Sequence, residues 1–178
     1  MSRARSSYRD QWMAVMYLAT ETFRQVMGRL AAGVTVVTAK DADGGPRGFT
    51  ATAVCSVSLD PPLVLVCVGR DAHTLNAIRA SGRYALNFLR SGDTPTSDRF
   101  AGSEGPKFEG IEWAAAPGGS PLLPGTLAWV ECEVERKVEA GDHAVFIGRV
   151  TEARVEPPDG APLVHFGGLY HTVTRLDG

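Results

Sequence analysis

The chain has 178 residues, enough for one well-buried domain and short for two, since domains commonly run to about 100–200 residues. Hydrophobic residues make up 44% and charged residues 21%, ordinary globular usage that excludes a disordered or fibrous chain. With 18 Lys plus Arg against 20 Asp plus Glu, a formal charge of -2 and no long block of like charge, nucleic acid is excluded as an electrostatic partner.

The start Met1-Ser2-Arg3-Ala4-Arg5 is not followed by the apolar core of a secretory signal, and no apolar run approaches the roughly 20 residues that cross a bilayer. A cytoplasmic protein without membrane contact is expected. Residues 1–19, with the patch Trp12 to Leu18, read as an N-terminal arm, or as a helix lying on a partner subunit, ahead of a domain over 20–178. Thr20 or Thr22 then caps a helix carrying Phe23, Val26, Met27, Leu30 and Ala31 on one face; it ends at Gly33 and packs on the sheet.

From Gly33 the texture turns to β. Val34 to Ala39, a turn at Asp41 to Pro46, and the Gly48 to Ser58 segment read as a hairpin. Leu63 to Val68, bounded by Pro61-Pro62 and Gly69, reads as a strand buried on both faces. Asp71 or His73 opens a short helix over Thr74 to Arg79, stopped by Gly82, and Tyr84 to Leu89 alternates like another strand. Gly92 to Ser120 is a long excursion rich in Gly, Pro and Ser, with a short helix near Ser97 to Ala101; long loops in compact domains are often functional.

Beyond it, Ala128, Val130, Cys132 and Val134 point one way, while Trp129, Glu131, Glu133 and Glu135 point to a wet face. Ala144 to Val150 runs back after Gly141-Asp142-His143, so the two form a hairpin, and Leu163 to Phe166 and Tyr170 to Val173 complete six or more strands. Many strands at short spacing with few helices, and no G-x-G-x-x-G after a strand, exclude a parallel dinucleotide-binding sheet and predict a mainly β, antiparallel barrel or sandwich. Cys55, Cys67 and Cys132 are scattered and odd in number, fitting neither a disulfide framework nor a zinc knuckle.

Small residues beside an apolar strand make the Thr50 to Ser58 segment a candidate ligand shelf. Backbone amides between Thr50, Ala51, Thr52, Cys55, Ser56 and Val57 suit the donors and acceptors on the edge of a flat ring; the same residues also fit a plain strand decorated with hydroxyls. Thr74, with Arg70 or the first amides of its helix, suits a phosphate, and equally suits a helix cap. Asn87 interrupts an apolar strand and its amide needs a partner, while Arg99 and Phe100 lie where a lid would close. No carboxylate pair, metal-spaced histidine cluster or Ser-His-Asp arrangement is present, so no metal site is expected.

Phe23-Arg24-Gln25-Val26-Met27-Gly28, Gly33 to Thr38, Gly48-Phe49-Thr50-Ala51-Thr52, Ser56 to Pro62, Asn87-Phe88-Leu89, Arg99-Phe100-Ala101, Gly141-Asp142-His143 and Phe166 to Tyr170 stand in an order and spacing that resemble the short-chain flavin reductases, over roughly Thr22 to Val173. The resemblance implies an FMN-binding split β-barrel, an antiparallel Greek key with a few flanking helices, assembled as a homodimer. It implies hydride transfer from NADH or NADPH to FMN or FAD, with reduced flavin passed to a partner monooxygenase. The flavin shelf of that family falls on Thr50, Ala51, Thr52, Cys55, Ser56 and Val57. The family has Asn or Ser where Thr52 stands and Ser or Thr where Cys55 stands, which puts one hydrogen bond in doubt, and His73 replaces a small polar residue before Thr74. Gly141, Asp142 and the catalytic His143 fall beside the nicotinamide; apart from the resemblance, Phe166 and Tyr170 near the end of the chain suit the flank of the pocket and equally suit plain core. A passive FMN carrier or sensor of the same fold is the alternative activity, and a Cys55-based hydrolase is a third.

Overall fold

The computed structural model describes residues 20–102, 105–157 and 160–175; the expected arm over 1–19 lies outside the described residues. β-Branched runs punctuated by glycine and proline turns dictate strands over most of this length. In chain order the elements are α1 (Thr20–Met27), β1 (Ala32–Gly33), β2 (Thr35–Lys40), β3 (Pro46–Ala51), β4 (Val54–Leu59), β5 (Pro62–Gly69), α2 (His73–Ser81) and β6 (Arg83–Phe88). Then come α3 (Thr94–Ala101), β7 (Ala114–Ala115), β8 (Pro121–Leu122), β9 (Ala128–Ala140), β10 (His143–Val155), β11 (Val164–Phe166) and β12 (Leu169–His171). No helix among the described residues is long and apolar enough to cross a membrane.

Seven strands form one antiparallel sheet in the order β3-β2-β6-β9-β10-β5-β4. Its two edge strands, β3 and β4, are consecutive in the chain and separated only by Thr52 and Ala53. Both ends of the sheet must therefore meet at that dipeptide, which rolls the sheet into a barrel. There the amide of Cys67 on β5 donates to the Ala53 carbonyl at 3.0 Å. Away from this corner β3 pairs with β2 alone, so the seam stays open and the barrel is split.

The barrel interior is filled by Val37, Ala39, Val66, Val68, Tyr84, Leu86, Cys132 and Phe146, and α2 lays Leu75, Ala77 and Ile78 onto them. Gly82 ends α2 in the left-handed region at φ 66°, a conformation that costs a side-chain-bearing residue dearly, and its amide closes on the Ile78 carbonyl at 2.9 Å. On the outer side Val34, Val36, Leu89, Phe100, Leu123 and Leu163 form a second core under α3 and the segment that follows it.

Three expectations are corrected. The strand buried on both faces is β2 rather than β5: α2 and α3 cover opposite faces of β2, whereas β5 lies next to an edge strand and leaves Leu65 and Cys67 only half-buried. The first helix ends at Met27 instead of Gly33 and does not pack on the sheet, for Phe23, Val26, Met27 and Leu30 are 45–63% exposed. Finally, Glu131 is fully buried on the supposed wet face of β9. The loop before β8 folds over it, and its carboxylate accepts from the amides of Gly118 at 2.7 Å and Ser120 at 2.9 Å.

That carboxylate satisfies two loop amides that no strand reaches. Replacing Glu131→Ala is expected to lower the unfolding free energy by about 2 kcal/mol in urea titrations, because buried donors left without an acceptor are penalised at that scale. A change below about 0.5 kcal/mol, the ordinary range of surface substitutions, would contradict this role.

Candidate functional site

A cavity of about 970 Å³ runs along the open edge of β3. From Pro46 to Ala53 this wall extends about 20 Å at ordinary strand rise, and every one of its residues lines the cavity. Its side chains are mostly small, so the backbone N–H and C=O groups that face away from β2 stay accessible. One flank is α2, from Asp71 and His73 through Thr74 and Ala77 to Ala80; the other is the end of α3, with Phe100 and Gly102, followed by Gly105, Lys107 and Phe108. The β2–β3 turn closes one end, and Cys67, Gly69 and His143 close the other.

The flanks are held tightly. Gly48 is forced to be glycine by the α3 side: a Cβ there would lie 2.9 Å from Phe100 Cε1 and 3.2 Å from the Val37 carbonyl oxygen. Phe100 is itself fully buried and meets Phe108 edge-on, with ring centroids 5.0 Å apart. Thr50 Oγ1 donates to the Ser97 carbonyl at 2.6 Å, tying the wall to α3. At the far end a Cβ on Gly69 would meet only His143 Nε2, at 3.9 Å, an ordinary van der Waals contact.

Positive charge gathers at two places. The N-terminus of α2 opens on the cavity with no side-chain cap, leaving its first amides and its dipole available to an anion. Across the cavity the Lys107 ammonium bonds the Phe100 carbonyl at 2.8 Å and has no carboxylate partner among the described residues; burial pulls its pKa below the ordinary lysine value. Arg47, by contrast, is paired with Asp41 at 2.7 Å. Burial works against the Asp41 charge, but the Gly45 amide, Arg47 and the Asp43 amide together hold its carboxyl below the usual range.

Gly141, at φ 60°, makes the tight β9–β10 turn, and the Asp142 carbonyl accepts the Arg70 amide at 3.0 Å. His143 Nδ1 donates to Asp142 Oδ1 at 2.8 Å, which leaves Nε2 as the nitrogen toward Gly69; this hydrogen bond is the main reason the Asp142 carboxyl titrates low. Cys67 lines the same end, and burial raises its thiol pKa, so it stands there as a neutral group.

Of the residues singled out in the sequence, the structure brings Thr50, Ala51, Thr52, Thr74, Phe100 and His143 together on this cavity. The others lie off its wall. Cys55, Ser56 and Val57 are exposed on β4, which follows the corner at Thr52-Ala53 and leaves the cavity behind. Asn87 is fully buried in the sheet, donating to the Val36 carbonyl and Thr38 Oγ1 and accepting the Leu123 amide at 2.9 Å; its partners are structural. Arg99 points along its own excursion to the Glu109 carbonyl. Gly141 and Asp142 shape the turn that carries His143, and Tyr170 bonds Ser97 and Asp98 behind α3. Arg70, offered for a phosphate, pairs with Glu139 at 3.4 Å instead. Sequence reasoning missed Lys107, whose only signal is a cation within a glycine- and serine-rich excursion.

The family profile of the flavin reductase like domain matches residues 27–174. A flavin reductase (NADH) from Kitasatospora aureofaciens is 41% identical over 152 residues, 84% of this chain and 80% of that protein. The reductase subunit of a flavin-dependent monooxygenase from Rhodococcus jostii is 39% identical over 161 residues, 90% of this chain and 82% of its own length. Among solved structures, an NADH:FAD oxidoreductase from Streptomyces globisporus in complex with NAD and FAD fragments superposes with a TM-score of 0.80 at 35% identity, covering 86% of this chain and 92% of the other.

Proposed function

The chain belongs to the flavin reductase like family, and on that premise we propose that its cavity holds flavin and nicotinamide together along the free edge of β3. The protein is an NAD(P)H-dependent flavin reductase that passes hydride to FMN or FAD and supplies reduced flavin to a partner monooxygenase. The observation that carries the placement is the unpaired backbone edge of β3 between two helical flanks, with an uncompensated ammonium on one and an open helix N-terminus on the other.

The residues present fit such a ligand. A flat heterocycle with alternating donors and acceptors finds the complementary pattern in a strand edge, and the cavity volume is of the order that binds small molecules whole. When bound, the flavin ring supplies the acceptor for the nicotinamide hydride, a transfer that requires no protein acid or nucleophile. Thr50, Ala51 and Thr52 orient the ring. The α2 amides, Thr74 and Lys107 hold phosphate oxygens. His143, its Nδ1 engaged by Asp142, presents Nε2 as an acceptor for an N–H of the nicotinamide carboxamide, and Gly69, with no side chain on the cavity wall beside it, lets that ring approach. The work of this chain is orientation and exclusion of water, which shortens the approach of two reactants.

Residues 20–178 act as one cytoplasmic domain, and two copies assemble as a homodimer. Support for the second copy comes from Phe23, Val26 and Met27 on α1 and Leu30 just beyond it, large apolar side chains that stand exposed among the described residues, as at surfaces that meet another chain.

Mixing the protein with NADH and FMN is expected to give flavin-dependent loss of nicotinamide absorbance; a bound flavin with no NADH or NADPH turnover would favour the carrier reading instead. His143→Ala is expected to raise the KM for NAD(P)H about tenfold, the scale of one hydrogen bond and its contacts, with the flavin Kd changed by less than about twofold. Equal loss of both would contradict its placement. Lys107→Met is expected to weaken FMN about tenfold and riboflavin, which lacks the phosphate, by less than about twofold. The same loss for both ligands would remove Lys107 from phosphate binding.

A further inference from the structure

Thr50 offers the cavity only half of what a hydroxyl can do. A hydroxyl carries one hydrogen and two lone pairs, and the hydrogen of Thr50 is committed to the Ser97 carbonyl at 2.6 Å. That carbonyl is itself fixed. Tyr170 Oη donates its single hydrogen to Asp98 Oδ1 at 2.8 Å, so the 2.9 Å bond between Ser97 Oγ and Tyr170 Oη has Ser97 as donor. Two adjacent residues of α3 are thereby latched to β12, and Ser97, fully buried, has no freedom to release the Thr50 hydrogen.

What remains on Thr50 is an acceptor, and its partner must be a donor. The oxidised isoalloxazine ring carries one N–H, at N3 between two carbonyls; the ribityl chain offers hydroxyl donors as well. Thr50 stands among small residues on the wall that suits a flat ring edge, with Ala51 and Thr52 beside it.

We propose that Thr50 is the acceptor for the flavin N3–H, its polarity set by Ser97 and kept by the Tyr170–Asp98 latch. This rests on the flavin reading of the cavity. It makes Thr50 a residue that selects the ring by its single N–H, and Tyr170 a positioning residue that acts through α3 without touching the ligand.

Lumiflavin, which has a methyl group in place of the ribityl chain, separates the two donors. Binding of lumiflavin and 3-methyllumiflavin to the full chain is measured by fluorescence quenching for the unmodified protein, Thr50→Ser, Thr50→Val and Thr50→Ala, with thermal melts to confirm folding. Losing the acceptor is expected to weaken lumiflavin about tenfold in Thr50→Val and Thr50→Ala, while Thr50→Ser keeps affinity within about twofold. 3-Methyllumiflavin, poorly bound by the unmodified protein, is expected to bind Thr50→Ala as well as lumiflavin does. Lumiflavin affinity indifferent to the hydroxyl, with FMN affinity falling, would assign Thr50 to the ribityl chain and overturn the proposal; so would an undiminished effect of methylation in Thr50→Ala. Should Thr50→Val fail to fold, Thr50→Ala decides alone. An unmodified protein that binds neither lumiflavin nor FMN defeats the flavin reading itself.

Discussion

The structure depends on a seam that cannot close. Because β3 and β4 are the two edges of the sheet and also neighbours in the chain, Thr52 and Ala53 pull the edges together at one corner and leave them splayed elsewhere. An exposed strand edge is ordinarily a hazard, since its unpaired amides invite another chain. Here the edge is sheltered: α2 rises on one side, α3 and the segment after it on the other, and the cavity is what lies between. The unpaired backbone is thus available to a small flat molecule and shielded from a strand.

Rigidity follows from the same arrangement. β2, buried on both faces, is gripped by two cores at once, and β3 hangs from it through six paired residues. Asn87 reinforces the grip from β6 by binding the Val36 carbonyl, and Thr38 donates onward to the Pro121 carbonyl. The polar groups closest to the cavity are similarly engaged: Asp41 with Arg47, Thr50 with Ser97, His143 with Asp142. A reaction that moves a hydride between two stacked rings gains from fixed partners and has little use for a mobile acid. The neutral Cys67 thiol and buried Phe100 line the same space without adding charge.

Period-two alternation, the turn at Asp41, the Gly82 stop and the Gly141 hairpin are local features, so the strands, α2 and the antiparallel class were legible in the sequence. Coverage by distant segments was not. Nothing around Glu131 announces that the loop at Gly118 will fold over it, and nothing around Phe23 and Val26 shows that their face meets no sheet. The site divides the same way. Thr50 to Thr52, Thr74 and His143 converge because each lies at a strand edge or element end that the hydrophobic pattern marks. Cys55 to Val57 read as a continuation of the shelf, yet the two-residue corner swings them onto the opposite edge of the sheet. Asn87 looked like a ligand group because a buried amide needs partners, and the sheet itself supplied them. Lys107 escaped notice because only the folded excursion brings its ammonium back to the Phe100 carbonyl.

A crystal structure of the protein with FMN tests the account most directly. Ring density along the open edge of β3, between α2 and the segment around Lys107, with nicotinamide-sized space remaining toward His143 and Gly69, is the result it requires. Flavin bound elsewhere on the chain, with this edge filled by side chains or paired to another strand, would contradict it.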